Sequence, residues 1–249
     1  MDSFELYNIS EDYMELINPL TEEKIITLGK FLDLKKGSRI IDFGSGFAEM
    51  LVLWAETFGI TGIGIDIRKH ACERAERKIK ERGLSESIEI VCGKGDEYSF
   101  EKGAFDYASC IGASFIWGGF GATIRGMRDA IHPNGKLVIG EPYWLKKPVP
   151  EEYIKNIKDV EIHSEYELIQ IARGEGFDFE YMVRSSLDDW DGYEASNWYS
   201  LARWLENNPN HPEKKEVIDW LHEMQDEYLK YGREYCGFAV YILNPARYK

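Results

Sequence analysis

The feature that most constrains the fold of this chain is one run, IIDFGSGFAEMLVLWAETFGITGIGIDI, at residues 40–67. It reads as an apolar strand ending in Asp42, a glycine turn at Gly44-Ser45-Gly46, an amphipathic helix, and a second apolar strand ending in Asp66. Glycines in such a turn let the backbone approach a ligand closely because they have no Cβ atom. The helix that follows presents free N–H groups and a positive dipole end. The run therefore predicts a βαβ unit that holds a nucleoside, with Asp66 placed to accept hydrogen bonds from ribose hydroxyls.

Strand and helix patterns go on alternating after this unit. Further apolar strands are predicted at about residues 87–92, 105–111 and 136–141, with helices at about 68–82 and 123–131. This alternation predicts an α/β fold, a doubly wound and mostly parallel seven-stranded sheet with helices on both faces. A sixth strand is predicted at about 178–186, and the run CGFAVYIL at 236–243 predicts an antiparallel last strand.

The chain of 249 residues is predicted to form a single domain, residues 1–249. Residues 1–35 are expected to form an N-terminal helical lid, and residues 36–141 the ligand-binding core. Residues 142–249 would supply the other half of the site, with a helical insertion at about 187–233 before the last strand. That insertion is rich in aromatic residues.

Charge and composition exclude several classes of function. The formal net charge of −14 argues against nonspecific binding to nucleic acid or to an anionic membrane. The sequence has no signal-peptide pattern and no membrane-spanning run, so a cytoplasmic protein is expected. The cysteines have no zinc-binding spacing and are expected to be buried free thiols, as in a reducing compartment, with no metal bound; they are Cys72, Cys92, Cys110 and Cys236.

Four features in order resemble the class I S-adenosylmethionine-dependent methyltransferases. These are the Asp42–Gly46 turn, Asp66 at the end of the second strand, Gly95-Asp96 after the third, and Pro133-Asn134-Gly135 before the KLVIG strand. The resemblance covers about residues 38–141 and the closing strands, and it implies S-adenosylmethionine as the cofactor.

The resemblance also implies a role for each matched position. The turn of Gly44, Ser45 and Gly46 would pass under the methionine and ribose, and Asp42 would contact the methionine end. Asp66 would bind both ribose hydroxyls. The remaining implied cofactor residues are Ile67 against the adenine, Gly95 and Asp96 near the adenine amino group, and Cys110 and Ile111 along the methionine end.

A nicotinamide dinucleotide site is the alternative interpretation, because it too uses a glycine turn and an acid on the second strand. The sequence pattern of dinucleotide sites has a third glycine three residues after the second, and at that position this chain has Glu49. A carboxylate there would repel a pyrophosphate, whereas a sulfonium cofactor carries no phosphate.

The acceptor side is less specific. Glu141 and Tyr143 lie at the carboxyl end of the fifth predicted strand, where ligands bind in open α/β sheets, and Glu141 is the one acid proposed as a base. The other residues proposed to contact an acceptor are Trp117, Trp144, Trp198 and Tyr13. Each of these aromatic residues has a plain alternative, which is packing on the sheet or within a helical pair.

Together these features predict an enzyme that transfers methyl to a small-molecule amine, thiol or hydroxyl by in-line displacement. The residues at 110–113 lack the Asn/Asp-Pro-Pro-Tyr signature of enzymes that methylate nucleic-acid amino groups, so nucleic acid is not the expected substrate. An NAD(P)-dependent oxidoreductase and a non-catalytic S-adenosylmethionine-binding protein stay open as alternatives. A homodimer is possible.

Overall fold

Seven strands form the central sheet in the computed structural model, which describes residues 1–157 and 161–246 of the protein. The strands are β1 Arg39–Phe43, β2 Thr61–Asp66, β3 Ile88–Cys92, β4 Phe105–Ile111, β5 Ile131–Trp144, β6 Phe177–Arg184 and β7 Cys236–Pro245. Their order across the sheet is β3-β2-β1-β4-β5-β7-β6. Strands β1 to β5 pair in parallel, and β7 runs antiparallel to both of its neighbours. The predicted doubly wound α/β fold is confirmed.

The helices cover both faces of this sheet and one of its ends. They are α1 Ser3–Ser10, α2 Glu22–Phe31, α3 Glu49–Phe58, α4 Lys69–Glu81, α5 Phe120–Met127, α6 Glu151–Asn156, α7 Glu165–Gly174, α8 Leu187–Asn207 and α9 Lys214–Glu227. A π-helical turn at Tyr228–Gly232 and a short helix at Arg233–Tyr235 connect α9 to β7. The expected N-terminal helix and the helical insertion before the last strand are therefore both present.

Two hydrophobic cores lie on opposite faces of the sheet, because successive side chains of a strand point to opposite faces. Ile40 belongs to the core that contains Trp54 of α3. The next residue, Ile41, belongs to the core that contains Ile124 of α5 and Leu168 of α7. This alternation decides which side chains can reach the site at the end of the sheet.

Helix α3 begins two residues later than the predicted Phe47. Ala48 precedes it in the left-handed region with φ of 56°, a conformation that a helix cannot include. The helix ends at Gly59, which also has positive φ. The glycine turn and the residues after it therefore form a longer connection than the periodicity indicates.

Strand β5 is longer than predicted and includes Pro133-Asn134-Gly135, which sequence analysis places in a turn before the strand. Its pairing with β4 starts at Phe105 and Ile131, shifts register, and resumes at Tyr107 and Lys136. The Pro-Asn-Gly sequence coincides with this irregularity inside the strand. Turn-forming residues alone do not show whether strand pairing begins before them.

The cysteines are free thiols, and three of them, Cys72, Cys110 and Cys236, are buried as expected. The expectation is wrong for Cys92, which is exposed. Cys92 is the last residue of β3, and β3 is an edge strand, so less of the protein covers it.

Helices α1, α8 and α9 pack together beside the sheet. The N-terminal ammonium of Met1 forms ion pairs with Glu213 and Glu216 at the beginning of α9, at 2.8 and 2.6 Å. Tyr7 of α1 meets Trp220 of α9 edge to face, with ring centroids 5.6 Å apart. The N-terminal segment is thereby held against the insertion.

Candidate functional site

A cavity of about 940 Å³ opens at the carboxyl ends of β1, β2 and β4, where open parallel sheets bind ligands. One half of its wall comes from these strands and the turns after them. The residues of this half include Asp42, Gly44, Ser45, Ile65, Asp66, Ile67, Arg68, Gly93, Lys94, Gly95, Asp96, Ile111, Gly112 and Ala113. We call it the strand-end half of the cavity.

The glycine turn of the strand-end half is packed so closely that side chains do not fit. A Cβ atom on Gly44 would lie 2.5 Å from the Cβ of Ala113, and one on Gly46 would lie 2.2 Å from Cδ1 of Ile17. Both glycines also have positive φ, at 74° and 54°. The turn thus needs glycine for its conformation and for the approach of the N-terminal segment.

Asp66 connects this turn to β2. Its carboxylate accepts hydrogen bonds from the backbone N–H of Gly46 to Oδ2 at 2.8 Å and of Arg68 to Oδ1 at 2.9 Å. A carboxylate has about four lone-pair positions, so two of them stay available to hydroxyl donors. Asp66 is only 7% exposed and lines the cavity, so a ligand there would find an oriented acceptor.

Asp42 is a buried carboxyl group, 4% exposed, on the same wall. The hydroxyl of Ser109 donates to its Oδ1 at 2.6 Å. Burial raises the pKa of Asp42 to about 7 in spite of that hydrogen bond, and the charge of nearby Asp66 adds to the rise. In the described part of the chain, Asp42 has no ion pair with a lysine or arginine.

The N-terminal segment covers the strand-end half. Glu11, just after α1, forms an ion pair with Arg68 at 2.6 Å between Oε2 and Nη1, and both side chains are about 10% exposed or less. The backbone carbonyls of Asp12 and Met14 accept hydrogen bonds from Arg74 of α4. This segment therefore lies between the cavity and solvent.

The other half of the cavity is formed by helices and by the segment after β5; we call it the helix half. Aromatic rings make up much of its wall, together with the carboxylates of Glu194 and Glu227. Its residues include Phe4, Tyr7, Pro142, Tyr153, Ile162, Trp190, Tyr193, Glu194, Trp220, Met224, Glu227, Tyr228, Gly232 and Cys236. The two halves are continuous within one cavity.

Comparison with known proteins identifies the family. Residues 40–135 match the methyltransferase domain family. A methyltransferase from Thiobacillus denitrificans, solved in complex with S-adenosyl-L-homocysteine, is similar over 98% of this chain and 100% of its own, with 35% identity and a TM-score of 0.91. The chain belongs to the class I S-adenosylmethionine-dependent methyltransferases.

Two other relatives are similar over nearly the whole chain. A methyltransferase from Geobacter sulfurreducens, also in complex with S-adenosyl-L-homocysteine, matches 97% of this chain and 98% of its own, with 36% identity and a TM-score of 0.90. The YjhP protein of Escherichia coli K12 is 37% identical over 247 residues, which are 98% of this chain and 99% of that protein.

The cofactor of this methyltransferase is S-adenosylmethionine. The strand-end half fits this molecule chemically. Asp66 has unused acceptor positions for ribose hydroxyls, and the turn beside it has no side chain at Gly44 or Gly46. Asp42 offers a buried carboxyl group without a cationic partner, which suits a ligand that carries an ammonium group.

Most of the sequence-predicted cofactor residues lie together in the strand-end half. They are Asp42, Gly44, Ser45, Asp66, Ile67, Gly95, Asp96 and Ile111. Gly46 lies in the same turn and holds Asp66 through its N–H. Cys110 is next to Ile111 in sequence, but its side chain does not line the described cavity. It is buried in the hydrophobic core that contains Ile124 and Leu168.

Glu141 and Tyr143 do not line the cavity in the described part of the protein. Both side chains point to the sheet face opposite Gly140 and Pro142, where Tyr143 is part of the hydrophobic core. Glu141 is 2% exposed and accepts a hydrogen bond from Ser114 at 2.9 Å, and burial raises its pKa to about 7. Alternation along β5 turns both side chains away from the cavity, and the catalytic roles of Glu141 and Tyr143 stay a prediction.

The aromatic residues proposed to contact an acceptor also lie outside the cavity wall, as far as the described residues show. Trp117 packs edge to face on Phe43, and Trp144 on Tyr153. The ring of Trp198 packs against Tyr228. Tyr13 is 55% exposed and packs against Tyr199. These contacts are those of aromatic side chains that pack against other parts of the protein.

Sequence reasoning missed the two carboxylates of the helix half, Glu194 and Glu227. A signal for them exists, because cavity residues recur at helical spacing on both helices. On α8 they are Trp190, Tyr193 and Glu194, and on α9 Trp220, Met224 and Glu227. Ser109, which holds Asp42, has no comparable signal, because its role depends on the pairing of β1 with β4.

Proposed function

We propose that this methyltransferase transfers the methyl group of S-adenosylmethionine to a small molecule bound in the helix half of the cavity. One observation carries this proposal: a single cavity joins the strand-end half to a second, aromatic-walled half. Small-molecule sites commonly occupy about 300–1,000 Å³, and a volume of about 940 Å³ leaves room for an acceptor beside the cofactor. The N-terminal segment over the cavity disfavours a macromolecular acceptor.

S-adenosylmethionine supplies a methyl group on a positively charged sulfur. The leaving group is the neutral thioether S-adenosylhomocysteine, which departs readily. Asp66 would hold the ribose, and Asp42 the methionine end. The helix half would place the acceptor atom in line with the methyl group. Positioning of this kind can contribute roughly 7–11 kcal/mol in the best cases. The covering segment with Glu11 and Arg68 would limit the access of water.

Two measurements test the proposal. Thermal shift with S-adenosylmethionine, S-adenosylhomocysteine and NAD tests the cofactor half, because a ligand that binds only the folded state at 100 times its Kd stabilises it by about 2.7 kcal/mol. We expect both sulfur compounds to raise the Tm and NAD to leave it unchanged. A rise with NAD alone would contradict the assignment of the strand-end half.

Transfer itself is tested with S-adenosylmethionine labelled in the methyl group and a fractionated metabolite extract. We expect label in a fraction of low molecular mass, and no label in protein or nucleic acid. Asp66→Asn is the matched control, since it keeps the size of the side chain and removes its charge. Cofactor binding without transfer to any fraction would favour a non-catalytic binding protein.

A further inference from the structure

We infer that the acceptor is a small organic amine, recognised in its cationic form by Glu194 and Glu227 inside the aromatic walls of the helix half. The inference rests on the proposed function, because the site is the acceptor half of the same cavity. The cavity supplies the space for a ligand. The carboxylates and aromatic rings of the helix half indicate the chemical class of that ligand.

Glu194 and Glu227 differ from the other glutamates of the cavity wall in having no cationic partner. Glu11 is paired with Arg68, and Glu15 with Lys78. Neither Glu194 nor Glu227 has a lysine, arginine or N-terminal ammonium within 4 Å in the parts of the chain that the structure describes. Glu194 is half-buried and Glu227 is exposed at the edge of this wall. Two negative charges without cationic partners create a place for a cation that diffuses in.

The two carboxylates act on the same part of the wall. Burial is the larger cause of the raised pKa of Glu194, and the charge of Glu227 adds to the rise, so the two carboxylates interact. Both charges also raise the pKa of the Cys236 thiol, to about 12, although burial is the larger cause. Both raise the pKa of Tyr153 as well, again after burial. A ligand near Cys236 and Tyr153 would therefore lie in the field of both carboxylates.

Cations on the cavity wall do not offset this field. Within the described residues, the cationic side chains of the wall are Arg68 and Lys94, and both belong to the strand-end half. Arg68 is paired with Glu11, and Lys94 with Glu97 at 2.6 Å. The helix half thus carries negative charge, which would repel an anionic acceptor such as a carboxylate or phosphate.

The rings of the helix half suit an organic cation. Trp190, Tyr193 and Tyr228 lie beside Glu194 on the wall. The indole of Trp190 lies close enough to Glu194 to counteract in part the rise in pKa that burial causes there. Aromatic faces attract ammonium groups by about 0.5–2 kcal/mol each, depending on their desolvation.

A metal ion is a poorer candidate for the same charge. In residues 1–157 and 161–246, no group of three or more His, Cys, Asp or Glu side chains is arranged to hold a metal. Two carboxylates among aromatic rings leave a hard cation short of oxygen ligands. An alkylammonium group needs only charge and apolar contact, which the helix half supplies.

Glu194 is also suited to take the proton that the reaction releases. Burial is the main cause that raises its pKa to about 7, so it can exchange protons near neutral pH. An ammonium acceptor first loses an N–H proton to the Glu194 carboxylate. The freed lone pair on nitrogen then forms the N–C bond as the C–S bond breaks, and the electron pair of that bond stays on the sulfur of S-adenosylhomocysteine.

The experiment measures charge preference with three probes of one shape: choline, 3,3-dimethylbutan-1-ol and 3,3-dimethylbutanoate. Each is titrated into the protein by calorimetry at pH 8, with and without saturating S-adenosylhomocysteine. We expect choline to bind at least about tenfold more tightly than the alcohol, and the carboxylate to bind weakest. Glu194→Gln and Glu227→Gln should each reduce the choline preference to within about threefold and leave the affinity for the alcohol unchanged.

Asp226→Asn is the matched control, because Asp226 is an exposed residue of α9 beside Glu227 and does not line the cavity. It should keep the wild-type preference. Equal affinities for the three probes, or no detectable binding of choline, would overturn the inference. A choline preference in a protein that transfers no labelled methyl would keep the cation site and refute the proposed transfer, so the two failures differ.

Discussion

Asp66 shows how one side chain can serve both the fold and the ligand. It satisfies two backbone N–H groups, of Gly46 and Arg68, and holds the glycine turn against β2. The same carboxylate faces the cavity. A neutral amide at this position would keep one oxygen acceptor and replace the other with a donor.

We therefore expect Asp66→Asn to weaken the binding of S-adenosylhomocysteine at least about tenfold, which is about 1.4 kcal/mol. Calorimetry measures the affinity, and circular dichroism checks that the fold is retained. Asp129→Asn is the matched control, because Asp129 is exposed and pairs with Lys102 away from the cavity. Unchanged affinity in Asp66→Asn would place the ribose elsewhere.

Asp42 illustrates a cost that the site imposes on stability. Its pKa in the folded protein is about 7, against an ordinary value of 3.8. Between these two pH values the folded state holds a proton that the unfolded state has lost, so the group destabilises the fold increasingly as the pH rises. The cost is complete above pH 7 and absent below pH 4, and it amounts to at most about 4 kcal/mol.

Replacing Asp42 with asparagine should therefore stabilise the cofactor-free protein at pH 8, by about 5 °C in Tm. Asparagine can still accept the hydrogen bond from Ser109 through its carbonyl oxygen. The gain should disappear at about pH 3, where Asp42 is protonated in both states. Calorimetric scans of both proteins across this range provide the test, and a Tm difference that is independent of pH would contradict it.

At the scale of elements, the segment between α1 and α2 depends on helix α4. Arg74 of α4 donates hydrogen bonds to the carbonyls of Asp12, at 2.8 Å, and Met14. It also pairs with Glu15 at 3.3 Å, and its guanidinium lies 4.0 Å from the ring centroid of Phe47. One side chain thus holds several points of the cover over the strand-end half.

Arg74→Ala should loosen this segment. We expect faster hydrogen exchange in residues 11–18 and a rate of S-adenosylhomocysteine dissociation that rises by about threefold to tenfold, because local opening becomes less costly. Arg77→Ala is the matched control, since Arg77 is exposed on the same helix. Stopped-flow measurement of dissociation gives the answer. Equal rates in the two variants would show that the segment does not retain the ligand.

At the scale of the whole molecule, the net charge of −14 governs which partners can approach. We expect no measurable binding to double-stranded DNA at about 50 mM salt, where nonspecific binders gain most from releasing counterions. Fluorescence anisotropy with a labelled duplex tests this expectation. Binding at micromolar protein concentration would contradict it.

Three further properties of the whole molecule stay predictions. They are the single-domain boundaries, the possible homodimer and the cytoplasmic location. The described part of the chain contains no helix with the length and apolarity that a bilayer crossing requires. Light scattering would measure the oligomeric state directly.

The sequence by itself determined the sheet and most of the strand-end half. Asp42, the Gly44–Gly46 turn and Asp66 lie within one βαβ unit, so their spacing along the chain largely sets their arrangement in space. Parallel strands end at the same edge, which brings Asp96 and Ile111 to the same cavity. Sequence patterns are sufficient to predict a site when its residues lie on elements that follow one another along the chain and are neighbours in the sheet.

Only the tertiary structure decided the helix half. Its wall combines Phe4, Glu194 and Glu227, which are far apart in sequence and meet because α1, α8 and α9 pack together. Glu141 was proposed from its place at the end of a predicted strand, but alternation across the sheet turned it to the other face. Which face of a helix or strand meets a cavity depends on packing partners, and no local pattern specifies those.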